Sequence, residues 1–291
     1  MHSDDPSNLL QLEALARLDV AAASGLVARG DQLWILADDS LAVHVYSLDG
    51  TRRGQFALLP GSLPDDAKLR KAQKPDFEAL IDLPDGSLLA LGSGSTPDRA
   101  RGVRMRFRET AMMVDEIDLA PLYAACRGRL PELNIEAGAC IGATLFLLSR
   151  GNGAARDNVI LTLDVDAVLL QLAHNALSQS ALRGTQRVEL GELHGIPLSF
   201  TDACVLRGRL LFSAAAEASP DTFQDGVCAG SVLGIMEPSG GIIATRPLAP
   251  PDKIEGICLD PRSLGHVLLV ADADDPASRS PLYRCELPDG W

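Results

Sequence analysis

Short, strongly apolar runs recur along the chain: LWILA (33–37), LLALGS (88–93), LFLLS (145–149), LLFSA (210–214) and VLLVA (267–271). Each follows a turn signal and a second, shorter apolar stretch, and that stretch carries one polar residue among apolar neighbours. The polar residues are Ser24 in ASGLVAR, Glu78 in DFEALIDL, Glu136 in NIEAGACI, Asp202 in FTDACVL and Glu255 in KIEGICLD. Their spacings are 54, 58, 66 and 53 residues, so five such units fill the 291-residue chain. A repeat this long, with several short strands in each unit, predicts an all-β fold: a five-bladed β-propeller with a central axial channel, formed by residues 1–291 as one domain.

The second unit shows the strand order best. FEALIDL and SLLALGS flank the Pro84-Asp85-Gly86 turn, GVRMRFR alternates as a half-buried strand does, and AMMVDEIDL supplies a fourth strand. The first unit runs from Ser24 to about Leu58, with AVHVYSL as its third strand and Asp49-Gly50 as the turn after it. In the third unit the residues after NVILTLDV have helical spacing and predict an inserted helix over about 166–182, which accounts for the long spacing. Little other helix is expected. The fourth unit holds a long polar loop, EASPDTFQDGVCAG, and the fifth has room for only three strands. LLQLEALARLDV, before the first unit, is expected to add the missing strand and close the ring, removing exposed sheet edges; a short N-terminal helix is the rival reading.

Composition narrows the function classes. A formal net charge of −13 lacks the basic footprint that a nucleic-acid polymer or an anionic membrane needs. The N-terminus has no signal-peptide pattern, no apolar run is long enough to span a bilayer, and the six cysteines show no C-x-x-C spacing. Small buried thiols and a cytoplasmic location are the expectation.

In a propeller the first strand of each blade lines the channel, so Ser24, Glu78, Glu136, Asp202 and Glu255 are expected at one meeting place on the axis. Four carboxylates there repel one another unless a cation joins them. Oxygen donors without sulfur or imidazole select Ca²⁺. The alternative is that each acid is satisfied separately by backbone N–H groups. The loops on the same face carry Lys74, Arg99, Arg150 and Lys253, with His194, Asn152, Arg156, Asp38 and Asp274 nearby. They predict an electropositive channel mouth that holds a small anionic ligand, arginine being suited to phosphate or carboxylate; ordinary solvated loop chemistry is the alternative. Of five histidines only His194 is placed for acid–base work. The sequence leaves open whether a protein partner binds.

The pattern resembles the calcium-activated nucleotidases, apyrases built as five-bladed propellers with one axial Ca²⁺ and a channel ring of Ser, Glu, Glu, Ser, Glu. SGLVARGDQLWILADDSLAVHVYSLDG is similar to that family's first blade and IEGI to its last, while Asp202 for Ser is a departure. EGI-type strands also occur in phytase-like and esterase-like bacterial propellers. The resemblance implies a Ca²⁺-dependent hydrolase of a phosphoryl or ester substrate, with Glu78 or Glu136 as general base and Lys74, Arg99, Arg150, His194 and Lys253 toward the substrate. The other class of function is non-enzymatic: a structural ion on the axis beneath loops that bind a small anion or a protein.

Overall fold

The computed structural model describes residues 9–108, 111–130, 132–151, 157–218, 227–273 and 278–291. In chain order the strands are β1 (Leu10–Gln11), β2 (Glu13–Arg17), β3 (Ala23–Arg29), β4 (Gln32–Ala37), β5 (Ala42–Ser47) and β6 (Arg52–Ala57). The second blade follows as β7 (Phe77–Asp82), β8 (Leu88–Gly92), β9 (Arg101–Arg108) and β10 (Ala111–Asp118). The third is β11 (Ile135–Ile141), β12 (Thr144–Ser149), β13 (Asn158–Asp164) and β14 (Leu182–Val188). After a short β15 (Glu192–Leu193), the fourth is β16 (Ile196–Leu206), β17 (Arg209–Ala218), β18 (Val227–Met236) and β19 (Ile242–Ala249). The last strands are β20 (Lys253–Leu259), β21 (His266–Asp272) and β22 (Pro281–Glu286).

These strands form five antiparallel meanders, and β2 pairs antiparallel with β22 to complete the fifth sheet. The ring is therefore closed by the N-terminal segment, as a strand and not as a helix. That segment does a second job: β1 pairs parallel with β19 and covers the outer edge of the fourth blade. Five apolar clusters fill the spaces between neighbouring blades. Trp34 and Phe77 join the first two blades, Ile81 and Leu147 the next pair, and Phe146 and Phe212 the third and fourth. Leu233 with Ile257, and Leu268 with Leu26, complete the circuit. Each strong apolar run is a second strand with both faces packed against a neighbouring blade, so it reads as continuous rather than alternating.

Helix is more widespread than the sequence pattern implies. The inserted helix is shorter, α3 (Val165–Leu172), and the chain then passes through a 3-10 turn at Gln179–Ala181 into β14. Asp164 caps α3 by accepting from the Ala167 amide. Two further helices, α1 (Ala67–Gln73) and α2 (Ala120–Arg127), lie in the connections into the second and third blades. The sequence pattern does not anticipate either of them. No helix among the described residues is long and apolar enough to cross a membrane.

One local feature positions the site. The ladder between the first and second strands is interrupted at the same place in every blade: it skips one residue between Phe77 and Ala79, Ile135 and Ala137, Phe200 and Asp202, and Ile254 and Gly256, and in the first blade sets Ser24 and Gly25 against Leu36 alone, between Ala23 and Leu26. These are β-bulges, which re-aim the extra side chain. Inner strands also crowd together here. A Cβ on Gly25 would lie 2.8 Å from the Leu80 amide, and one on Gly256 would lie 2.7 Å from the Ser24 carbonyl.

Candidate functional site

The bulges place Ser24, Glu78, Glu136 and Glu255 at equivalent positions around the axis, but in the fourth blade the equivalent residue is Thr201. Thr201 is buried, with its hydroxyl 2.8 Å from that of Ser213. Asp202 is the correction to the sequence reading. It lies one residue past the bulge, is 1% exposed, and is not among the residues lining the axial pocket. Its carboxylate accepts the amide of Ala203 at 2.8 Å and that of Ile257, on the next blade, at 2.7 Å. Burial pushes this carboxyl well above the usual carboxylate range, opposed by the amides of Ile257, Ala203 and Leu26. For Asp202 the alternative of a separately satisfied acid is therefore the arrangement found.

The other four bulge residues share a pocket of about 80 Å³ at the mouth of the channel. Its walls carry the carboxylates of Asp38, Asp76, Glu78, Glu136, Glu255 and Asp272, and the cations Lys71, Lys74, Arg99, Arg150 and Lys253. Glu217, at the end of β17, stands against Arg150 and Lys253. Seven carboxyl groups thus meet five cations, Glu217 included.

Two ion-pair networks divide the space. On the side of the first two blades, Lys74 pairs with Asp38 and lies 3.1 Å from Asp76, whose other oxygen is 2.7 Å from Arg99. The Ser93 hydroxyl donates to that same Asp76 oxygen. Asp76 itself has φ +56°, a left-handed conformation that costs a non-glycine residue and collects at functional sites. On the opposite side a closed circuit of alternating charge runs Arg150–Glu217–Lys253–Glu255, with Lys253 3.5 Å from Glu217 and 3.1 Å from Glu255, and Arg150 3.8 Å from Glu255.

Glu78 and Glu136 stand between the networks. Burial, with Asp76, Glu136 and Asp38 around it, pushes Glu78 well above its ordinary range. Among the described residues no cation forms an ion pair with it, whereas the carboxylate oxygens of Asp38, Asp76 and Glu78 come within 4.8 Å of one another. Burial also raises Glu136, to about 8, with Arg150 opposing and Glu255 adding to the shift. Asn134 donates to Glu136 at 2.5 Å, and Arg150 lies 3.7 Å away. Ser24 is turned to a structural task, its hydroxyl donating to the Phe77 carbonyl at 2.7 Å.

Lys74, Arg99, Arg150 and Lys253 all line the pocket, each paired with a carboxylate there. His194 does not; it is exposed in the turn between β15 and β16, with φ +53°. Asn152, Arg156 and Asp274 lie outside the described residues. Sequence reasoning missed Asp76, Asn134 and Glu217. Asp76 and Asn134 each sit two residues before a bulge glutamate, a spacing that could have been noticed; Glu217 carries no such signal.

The fold is shared with many solved structures. A glutaminyl cyclase from Myxococcus xanthus superposes with a TM-score of 0.53 at 11% identity, over 96% of this chain and 98% of that one. A calcium-binding protein, regucalcin, from Agrobacterium tumefaciens gives 0.48 at 10% identity, over 97% of each chain. At these identities the likeness is one of fold. No curated protein sequence matches the chain. A family model described as a family of unknown function (DUF6929) matches residues 19–287, and the chain belongs to that family.

Proposed function

We propose that the axial pocket holds a hard divalent cation, Ca²⁺, and that the chain acts there as a metal-dependent hydrolase of a small phosphoryl or ester substrate. The observation that carries this reading is the convergence of Asp38, Asp76 and Glu78 within 4.8 Å, in a pocket walled by six carboxyl groups and five cations. A divalent ion offsets the mutual repulsion of the three carboxylates, and an all-oxygen donor set without sulfur or imidazole suits Ca²⁺. Asp38, Asp76 and Glu78 would hold it, a corner displaced from the ring of five that the repeat suggests. With Thr201 in the fourth bulge, that ring reads Ser, Glu, Glu, Thr, Glu, close in type to that of the calcium-activated nucleotidases.

A bound cation polarises a phosphoryl or carbonyl oxygen. The chain's own contribution is proton transfer at Glu136, whose raised pKa suits an acid–base group near neutral pH. Asn134 orients that carboxyl. A pocket of about 80 Å³ admits an ion and a few waters, so a substrate meets it from the mouth. That small volume also favours a second reading, a structural ion beneath a binding surface.

The test is calorimetric titration of the protein with Ca²⁺ and Mg²⁺, followed by a panel of nucleotides, phosphoesters, carboxylic esters and lactones with Ca²⁺ or chelator. One Ca²⁺ per chain is expected, with binding lost in Asp76→Asn and Glu78→Gln, and turnover sensitive to chelator. Absence of binding at about 1 mM, the weak end of natural Ca²⁺ sites, defeats the metal. Binding without turnover leaves the structural ion.

A further inference from the structure

Lys74, Arg99, Arg150 and Lys253, which the sequence places at the channel mouth, each already have an anion from the chain itself. The most enclosed case is Glu217, which comes from β17 of the fourth blade, between Arg150 of the third and Lys253 of the fifth. One carboxylate oxygen, Oε2, serves both: it accepts from Nη2 of Arg150 and lies 3.5 Å from Nζ of Lys253. Arg150 and Lys253 are each 7% exposed and Glu217 is 9% exposed. A carboxylate bridging a buried arginine and a buried lysine is the arrangement that would recognise a free oxyanion.

A second observation points the same way. Nε of Arg150 is buried and has no hydrogen-bond partner among the described residues. Arginine presents its donors in a rigid fork, and an anion that fills the fork satisfies two of them together. Glu217 satisfies one. An unmade bond of this kind is unfavourable in a buried site, and an external oxyanion would complete it.

We infer that Glu217 is a built-in stand-in for an oxyanion and that it sets the charge selectivity of the axial pocket. By occupying Arg150 and Lys253 it keeps free phosphates and carboxylates off these two cations while no metal is bound. Removing its charge while keeping its shape turns the Arg150–Lys253 pair into an oxyanion subsite. This depends on the pocket being accessible to ligands, as the proposed function also requires, but not on a metal being bound there.

The test compares wild type with Glu217→Gln in chelator, at ionic strength fixed with chloride, adding inorganic phosphate or acetate and recording melting temperature and calorimetric binding. Wild type is expected to respond to neither. Glu217→Gln is expected to melt lower in chloride, because two buried cations have lost an anion, and to recover as phosphate is added. The rise should be roughly 2–3 °C at about tenfold excess over Kd. Phosphate and acetate arms separate a phosphoryl-type from a carboxylate-type subsite. Adding Lys253→Met to Glu217→Gln should abolish the response.

A folded Glu217→Gln protein that responds no more than wild type overturns the inference, as does a wild type that binds phosphate equally well. Should Glu217→Gln fail to fold in chloride, phosphate is included throughout purification and Glu217→Asp, whose carboxylate is drawn back, is measured alongside. A phosphate response in Glu217→Asp then supports the inference, and a flat response in it overturns the inference. Because all arms lack metal, failure of wild type to bind Ca²⁺ counts against the cation site alone.

Discussion

Asp202 separates two accounts of the channel, and its replacement by Asn tests them. The side chain is fully enclosed, and its two oxygens accept from different backbone amides, Ala203 at 2.8 Å and Ile257 at 2.7 Å. First strands have no ladder partner on the axis side, so their inward amides depend on such acceptors. Asn keeps the shape but turns one acceptor into a donor facing an N–H group, whichever way the amide is placed. The loss is one buried hydrogen bond plus the cost of a buried unsatisfied donor, together about 2–3 kcal/mol. Ala removes both acceptors and leaves a small cavity, for about 3–6 kcal/mol. With an unfolding entropy of about 2.1 cal/mol/K per residue, a chain of this length should melt roughly 3–5 °C lower for Asn and roughly 5–10 °C lower for Ala.

The assay is thermal unfolding followed by circular dichroism, run once with Ca²⁺ and once with chelator, with hydrogen exchange at the Ile257 amide as the local probe. A backbone clamp predicts the same loss in both buffers and faster exchange at Ile257. An axial ligand, which the repeat spacing implied, predicts a loss confined to the Ca²⁺-loaded protein, since only there does a ligand bind the native state. A Asp202→Asn melting point within about 1 °C of wild type, with Ile257 exchange unchanged, would refute the clamp.

Two other outcomes are expected away from the pocket. A Cβ on Gly234 would lie 2.2 Å from Cζ of Phe212, which pairs across the strands with it, so Gly234→Ala should cost about 1–3 kcal/mol by overpacking. Phe212→Leu in the same chain should recover part of that, and strictly additive effects in a double-mutant cycle of melts would contradict the packing argument. Asp260 is held below its ordinary pKa of 3.8: burial alone would raise it, and the bonds from Arg262, aided by Arg284, more than offset this. A depressed carboxyl contributes stability in full above its unfolded pKa and loses it as pH falls through the folded value. Asp260→Asn should therefore cost about 2 kcal/mol at pH 7 and progressively less in acid melts; an equal cost at both ends of the titration would count against the pairing.

The repeat frame was legible because each blade buries its second strand on both faces, and a run such as LFLLS has no other use in a soluble sheet. The ring closure was legible for a related reason: three strands remained at the C-terminus and one apolar run was left over before Ser24. The meeting of Lys74, Arg99, Arg150 and Lys253 followed from topology alone, since loops at the same end of successive blades must share a mouth. Short helices in the connections were not legible: α1 and α2 lie in spacings of 54 and 58 residues that the strands already accounted for, whereas the 66-residue spacing asked for an insertion and drew attention to α3.

The fourth blade shows where the pattern stops carrying information. FTDACVL offers Thr201 and Asp202 as neighbours, and the carboxylate matched the other blades in chemistry. The position that faces the pocket is chosen by which residue the ladder skips, and that is a property of the paired strand as much as of FTDACVL itself. A shift of one residue changes the face on which a strand side chain lies, so Thr201 takes the bulge and Asp202 lies off the pocket, against the Ala203 and Ile257 amides. The same limit explains Glu217. It sits in a second strand, opposite no repeated feature, and matters only because Arg150 and Lys253 arrive beside it from two other blades. Positive residues at the mouth can be foreseen from their own loops; whether they are free to bind an anion depends on an acid elsewhere in the chain, so charge selectivity at this site is a property of the assembled ring.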